Sequence, residues 1–343
     1  MIVGNRCLLR SSGLCCARIL RYNRLISTKS LVQQQEEPKK SKLDLSTSLI
    51  PNKDRGNNKE RFVTHPLFPH PIFNDEECRQ VHFEHKEPET RGDRFVFRLI
   101  LFMRKSFDFV TGYKKPVTPE EIQTGFKGTR YEMTESKWLT RVIFLESIAG
   151  VPGMSAAFIR HLHSLRLLKR DKAWIESLLD EAYNERMHLL TFIRIGKPSW
   201  FVRLIIYIGQ GVFCNLFFLS YLIRPRYCHR FVGYLEEEAV STYTHLLEEL
   251  EKGKLPNFNH IKLPDISWYY WTELSENSSF YDLIQRIRAD EAKHRELNHT
   301  LANLNQREDR NPFAMSVSTD KPQPRHDMKN HKAKGWKRED LIL

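Results

Sequence analysis

Two Glu-x-x-His motifs, Glu185-Arg186-Met187-His188 and Glu291-Ala292-Lys293-His294, combine residue types and spacing that can do chemistry. Three positions apart on a helix, a carboxylate and an imidazole lie about 60° from each other, close enough to serve one metal ion. A third match, Glu296-Leu297-Asn298-His299, shows that the motif alone is not selective. Periodicity separates the three. Glu185 and His188 share a stripe with Leu178, Ala182, Leu189 and Phe192, and Glu291 and His294 share one with Ile284 and Ile287. Glu296 falls about 140° from Glu291, which predicts a surface pair or a satisfied core edge. Two further carboxylates sit on apolar faces. Glu146 lies with Leu139, Val142, Ile143, Ala149, Gly150 and Gly153, a face whose small residues permit close helix approach. In the triplet Glu236-Glu237-Glu238, Glu236 stands about 40° from the stripe of Val232, Leu235, Ala239, Tyr243, Leu246 and Leu250, whereas its two neighbours lie about 140° and 120° away. Glu236 is the inward one.

An isolated ionised carboxylate on a buried face costs several kcal/mol unless it is paired or bound to a metal. Four such carboxylates and two imidazoles therefore need a common explanation. One Glu from each of two helices plus a Glu-x-x-His from each of two others, all inward, is the pattern of a ferritin-like di-iron carboxylate bundle. Charge agrees: two ferrous ions bring +4, four carboxylates bring −4, and neutral imidazole suits iron. Asn184 and Asp290 precede the motif glutamates and stand four residues before the motif histidines, where either can orient a ligand or remain a solvated polar residue.

These residues need helices to hold them. Apolar periodicity predicts helices over 134–165, 171–196, 200–223, 226–253 and 278–303, with Thr134 or Asp171 to open them and Gly196-Lys197-Pro198, Pro225 and Gly253 to end them. No strand pattern intervenes, so the expected class is all-α: a ferritin-like four-helix bundle plus two membrane-interface helices. The first of these is 94–110, where Arg94, Arg98, Arg104, Lys105 and Asp108 are assigned to one face and a wide Phe/Leu/Ile/Val/Met arc to the other. The second, within 200–223, contains Leu204 to Ile223, 20 residues without a charge and long enough to span a bilayer. Spanning would strand Glu185 and His188 on one side and Glu236 on the other, so the expectation is monotopic attachment.

Composition frames the rest. Of the 343 residues, 54 are Lys or Arg and 42 Asp or Glu, a net +12. Residues 1–35 carry Arg6, Arg10, Arg18, Arg21, Arg24 and Lys29 without an acid, as a mitochondrial targeting peptide would. Residues 36–92, rich in Pro, Lys, Asn and His, read as an extended N-terminal arm; 93–305 as the helical bundle; and 306–343 as a disordered tail with nine basic and six acidic residues. The bundle itself is then nearly balanced, which argues against nucleic acid as a partner. Six Cys without a C-x-x-C pair make neither a disulfide framework nor a Cys-based zinc site.

Four segments, LESIAGVPGM, NERMHLLTF, HRFVGYLEEEAVSTYTH and RADEAKHRELNH, together resemble the alternative oxidases, the cyanide-insensitive ubiquinol oxidases of mitochondria, in register over roughly 94–303. The resemblance implies that Glu146, Glu185, His188, Glu236, Glu291 and His294 bind two non-haem iron ions. It implies a redox-active Tyr243 and a quinol pocket of Arg141, Leu145, Glu238, Ala239 and Thr242. Taken on its own, Arg141 lies about 140° from Glu146, where a surface charge is the simple reading, and Tyr243 reads as a core tyrosine. Ser147 stands where many members have Thr, keeping a hydroxyl. Cys78 does not sit in the context of the regulatory Cys of plant members, so thiol control is not carried over. The implied reaction oxidises two ubiquinols and reduces O2 to water without pumping protons, at the matrix face of the mitochondrial inner membrane, in a homodimer. A di-iron quinone hydroxylase or monooxygenase, a non-enzymatic ferritin-like iron binder and a membrane scaffold with a structural metal are the alternatives.

Overall fold

The computed structural model describes residues 66–124, 126–315 and 319–343, so the expected targeting peptide and the first half of the arm lie outside the described residues. Among the described residues there are nine α-helices and no strand: α1 (Asp75–Arg79), α2 (Arg91–Thr111), α3 (Pro119–Thr124), α4 (Glu135–Leu167), α5 (Trp174–Gly196), α6 (Trp200–Ile223), α7 (Pro225–Glu251), α8 (Asp265–Tyr270) and α9 (Phe280–Asn303). The five long helices expected from periodicity are α4, α5, α6, α7 and α9, each within three residues of its expected ends.

Local chemistry sets those ends. The Thr134 hydroxyl accepts from Lys137 N to open α4, and Ser199 does the same for α6 through Val202 N. Ser279 and Asp282 form a reciprocal capping box on α9. Pro225 occupies the first turn of α7, where its missing N–H is no loss. Helix α5 opens at Trp174 and not at Asp171, because Lys172 and Ala173 adopt left-handed backbone and Asp171 instead accepts from Ile175 N.

Helices α4, α5, α7 and α9 form the bundle, with α4 packed along α5 and α7 along α9, and α4 meeting α7 while α5 meets α9. Gly153 makes the α4–α5 approach possible: a Cβ there would lie 2.6 Å from the Leu178 carbonyl oxygen. The core follows from large apolar groups between these helices, including Trp138, Phe192, Leu246, Trp271, Leu283 and Ile287, all essentially inaccessible. Helix α6 lies along α4 and turns Leu204, Ile208, Val212, Leu216, Leu219 and Leu222 outward, each exposed. Helix α2 exposes Phe95, Leu99, Phe102, Phe109 and Val110 in the same way. Among the described residues, two helices are long and apolar enough to cross a membrane, α4 and α6, but α4 is mostly buried in the bundle while only 6% of the α6 window is covered.

Two expectations need correction, and one alternative is decided. The tail is packed, not disordered: Phe313, Met328 and Trp336 are buried, and Trp336 Nε1 donates to Glu296 Oε1 at 2.7 Å while Lys332 N donates to the same oxygen at 2.8 Å. Its few apolar groups find a ready surface on α9, which low overall hydrophobicity does not reveal. Glu296 is thereby a fully buried, satisfied carboxylate, the core-edge alternative. Arg104 and Asp108 do not share the solvent face of α2 with Arg94, Arg98 and Lys105; they turn inward, where Arg104 Nε donates to Asp108 Oδ2 at 2.9 Å and Nη1 donates to Glu238 Oε2 at 2.8 Å. Ion pairing to the bundle outweighs their solvation.

Candidate metal centre

Six side chains from four helices meet inside the bundle: Glu146 from α4, Glu185 and His188 from α5, Glu236 from α7, Glu291 and His294 from α9. All are buried. They form two interlocking quartets, Glu146, Glu185, His188, Glu291 and Glu185, Glu236, Glu291, His294, in each of which one ligand atom per residue lies within 4.8 Å of the others. Glu185 and Glu291 belong to both. The cluster could hold two adjacent cations, with Glu185 and Glu291 common to both groups.

Hydrogen bonding says which imidazole nitrogen faces inward. His188 Nε2 lies 3.1 Å from Asp290 Oδ2, so it carries the proton and leaves Nδ1 facing Glu146 Oε2 at 3.1 Å and Glu291 Oε1 at 3.2 Å. Asp290 is itself held, accepting from Trp271 Nε1 at 2.9 Å and bonded to His70 Nε2 of the arm at 2.6 Å. His294 likewise presents Nδ1, 2.7 Å from Glu185 Oε1 but without hydrogen-bond geometry. Asn184 does not reach a motif residue: its Nδ2 donates to the Tyr270 hydroxyl at 3.0 Å and its Oδ1 has no partner.

The donor set fits a pair of cations. Both oxygens of Glu185, both of Glu236, Glu291 Oε2 and His294 Nδ1 are buried without a hydrogen-bond partner. Each such orphan costs about 1–3 kcal/mol, more when charged. Burial, then repulsion from Glu291, pushes the carboxyls of Glu185 and Glu236 far above the usual carboxylate range. A buried site that crowds four acids and leaves five of their eight oxygens unpartnered is one that divalent cations would stabilise. Tyr243 is fully buried and donates its phenol proton to Glu146 Oε1. Burial and the Glu146 charge hold that phenol well above its ordinary pKa of 10.

On the side of α2, a cavity of about 160 Å³ between α2, α4 and α7 ends on Glu146, Glu236 and Glu291. Leu145, Glu238 and Ala239 line it, together with Ile100, Phe107 and Arg104. Thr242 and Arg141 stand behind this wall. Thr242 Oγ1 accepts from Arg104 Nη1 at 3.2 Å, and Arg141 donates to Asp108 Oδ1 at 2.5 Å and to Thr111 Oγ1 at 2.8 Å. Arg141 is thus fully buried and not a surface charge, because α2 covers that face of α4 and supplies the acid. Burial and the neighbouring Arg104 lower its pKa to about 10, which leaves it charged at neutral pH.

Periodicity missed Arg104, Asp108 and Glu237. Glu237, assigned to the outer face of α7, is buried beneath the arm, where His85 Nδ1 at 2.6 Å, Lys86 N at 2.9 Å and His299 Nε2 at 2.9 Å surround its carboxylate. No single-helix pattern carries a signal for contacts that a distant segment provides.

A family profile described as Alternative oxidase matches residues 73–303. Among curated proteins, the chain is 68% identical over 302 residues to "Alternative oxidase, mitochondrial" of Scheffersomyces stipitis, covering 88% of this chain and 85% of that one. It is 63% identical over 325 residues to the protein of the same name from Wickerhamomyces anomalus, covering 93% and 95%. With "Alternative oxidase 2, mitochondrial" of Candida albicans the identity is 61% over 316 residues, covering 91% and 86%.

Proposed function

This chain belongs to the alternative oxidase family, and from that premise we propose that its buried cluster holds two iron ions and couples oxidation of two ubiquinols to reduction of one O2 to two waters, resistant to cyanide and without proton pumping. The observation that carries the reading is the pair of interlocking quartets sharing Glu185 and Glu291. Glu146 and His188 would complete one ion's ligands, and Glu236 and His294 the other's. When bound, the iron pair supplies the electron transfer between quinol and O2 that closed-shell side chains cannot sustain over repeated turnovers.

The chain's own residues do the rest. Leu145 and Ala239 offer an apolar wall to the quinol ring, while Arg104 and the Glu238 carboxylate it binds are placed to hold a quinol hydroxyl. Arg141 and Thr242 keep that polar corner in place through Asp108 and Arg104. Tyr243 donates its phenol proton to Glu146, so that an electron taken from the ring can be matched by the proton passing to that carboxylate. Asp290 fixes the His188 tautomer.

The outward apolar faces of α2 and α6 support attachment to one leaflet, with quinol entering laterally between them. Crossing by α6 would separate α5 from α7, whose glutamates share one cluster. The location is the matrix face of the mitochondrial inner membrane, reached through a presequence in residues 1–35, and exposed Met154, Phe158 and Leu165 on α4 suit pairing with a second copy. The test is oxygen uptake by the membrane-bound protein with a short-chain ubiquinol plus cyanide, comparing wild type with Glu236→Ala at matched expression. Cyanide-resistant uptake that disappears in the variant is the expected result. No uptake from an iron-loaded wild type would overturn the assignment.

A further inference from the structure

A second cavity reaches the centre from the side opposite the quinol pocket. It holds about 60 Å³, enough for a few waters, between α5, α9, the arm and the tail. Its lining runs from exposed His326 of the tail, past half-buried Asp180, to buried Glu181, Asn184 and finally His294. Phe313 of the tail closes part of its wall. Lys293 also faces it, its Nζ engaged by Glu296 Oε2 at 2.5 Å and the Arg325 carbonyl at 2.8 Å. Asn184 is 7% exposed, and its Oδ1 has no hydrogen-bond partner. Carboxylates at two depths, an unpartnered amide oxygen and an imidazole at the end form a series of oxygen and nitrogen donors leading inward.

The approach through the quinol pocket is less suited to a cation: apart from the centre's own Glu146, Glu236 and Glu291 at its end, its one carboxylate, Glu238, is engaged by Arg104, and much of the remaining wall is apolar, as at Ile100, Phe107 and Leu145, with the charge of Arg141 behind it. Stripping water from a divalent ion in an apolar passage beside two guanidinium groups is strongly unfavourable.

We infer that the polar cavity between α5, α9 and the tail is the path by which divalent metal ions enter and leave the buried centre, with Asp180 and Glu181 as the carboxylates that carry them past the tail. The inference rests on the reading of the six-residue cluster as a metal centre. Neither Asp180 nor Glu181 belongs to either quartet, so neither is assigned as a ligand of the bound ions.

The experiment follows ferrous iron leaving the reduced, iron-loaded full-length chain in detergent, read by the absorbance of a water-soluble ferrous chelator, after the iron content of each variant has been measured. The double variant Asp180→Asn, Glu181→Gln should slow release about tenfold, the low end of what charged passages do to ionic traffic. Phe313→Ala, which widens the wall, should speed it about tenfold. His326→Lys, a change on an exposed residue that leaves folding intact, should slow release at low salt, with the effect shrinking as salt rises. Equal rates in all three would overturn the path while leaving the centre standing, as would release slowed instead by Met103→Trp in the quinol pocket. A wild type that binds no iron would overturn the centre and its path together.

Discussion

At the scale of single residues, two side chains separate structural from chemical roles. Tyr243 donates to Glu146 and stacks on Phe192, with ring centroids 6.3 Å apart. Tyr243→Phe keeps the ring and removes only the hydroxyl, so iron content should remain at the wild-type level while quinol-driven oxygen uptake falls at least tenfold; metal analysis and an oxygen electrode on one preparation check this. Equal activity would make it a core tyrosine. Asp290 acts on His188, not on substrate. Its loss frees the imidazole to rotate and to change tautomer, and supporting groups of this kind typically carry about 10- to 100-fold in metal affinity. Asp290→Ala should show that loss in a chelator competition titration, and Asp290→Asn, which still accepts a hydrogen bond, should recover part of it.

At the scale of elements, helix approach and outward faces decide the outcome. Gly153→Ala would gain about 1 kcal/mol in helix propensity. It would also place a methyl 2.6 Å from the backbone oxygen of Leu178, an obstruction no side-chain rotation relieves. Overpacking of this kind costs about 1–3 kcal/mol, so the net effect should be destabilising, seen as a lower Tm and, since Glu146 and Glu185 ride on the two helices pushed apart, reduced iron content. Helix α6 tests the opposite kind of surface. Leu219 and Leu222 are each 56% exposed and contribute nothing to the core. Changing both to Glu should leave thermal stability and iron content unchanged yet shift the protein from membrane pellet to supernatant on flotation. Retention in the membrane fraction would argue against α6 as the anchor.

At the scale of the whole molecule, two buried histidines, His229 and His245, contribute to the loss of stability in acid. Burial, with the charge of Arg160 adding to it, lowers His229 to about 3, and burial together with nearby lysines lowers His245 to about 4. The unfolded chain binds these protons near 6.5 and the folded chain does not, so between pH 6.5 and about 4 the unfolded state holds more protons. Stability therefore rises with pH through that window and is lost as pH falls, by about 1.4 kcal/mol per unit for each fully titrating group. The midpoint of thermal unfolding should drop steadily below pH 6.5. His229→Gln, which retains polar atoms for Tyr221 and Asn298, should flatten that slope. An unchanged slope would place the proton uptake elsewhere.

What the sequence determined by itself is what repeats along a single helix. Apolar periodicity put Glu146, Glu185, His188, Glu236, Glu291 and His294 on inward faces, and the bundle brings all six together. Helix ends were legible wherever a cap or proline marks them, as at Thr134, Pro198 and Pro225, and slipped where a link of left-handed residues delays α5. The tertiary structure alone decided which polar groups gain a partner from a distant segment. Arg141 is buried because α2 brings Asp108 to it, Glu237 because the arm lays His85 across it, and Glu296 because the tail folds back with Trp336. A helix's own periodicity reports which side faces inward on average, whereas the energy of a buried charge depends on the one partner that meets it, and that partner can lie anywhere in the chain.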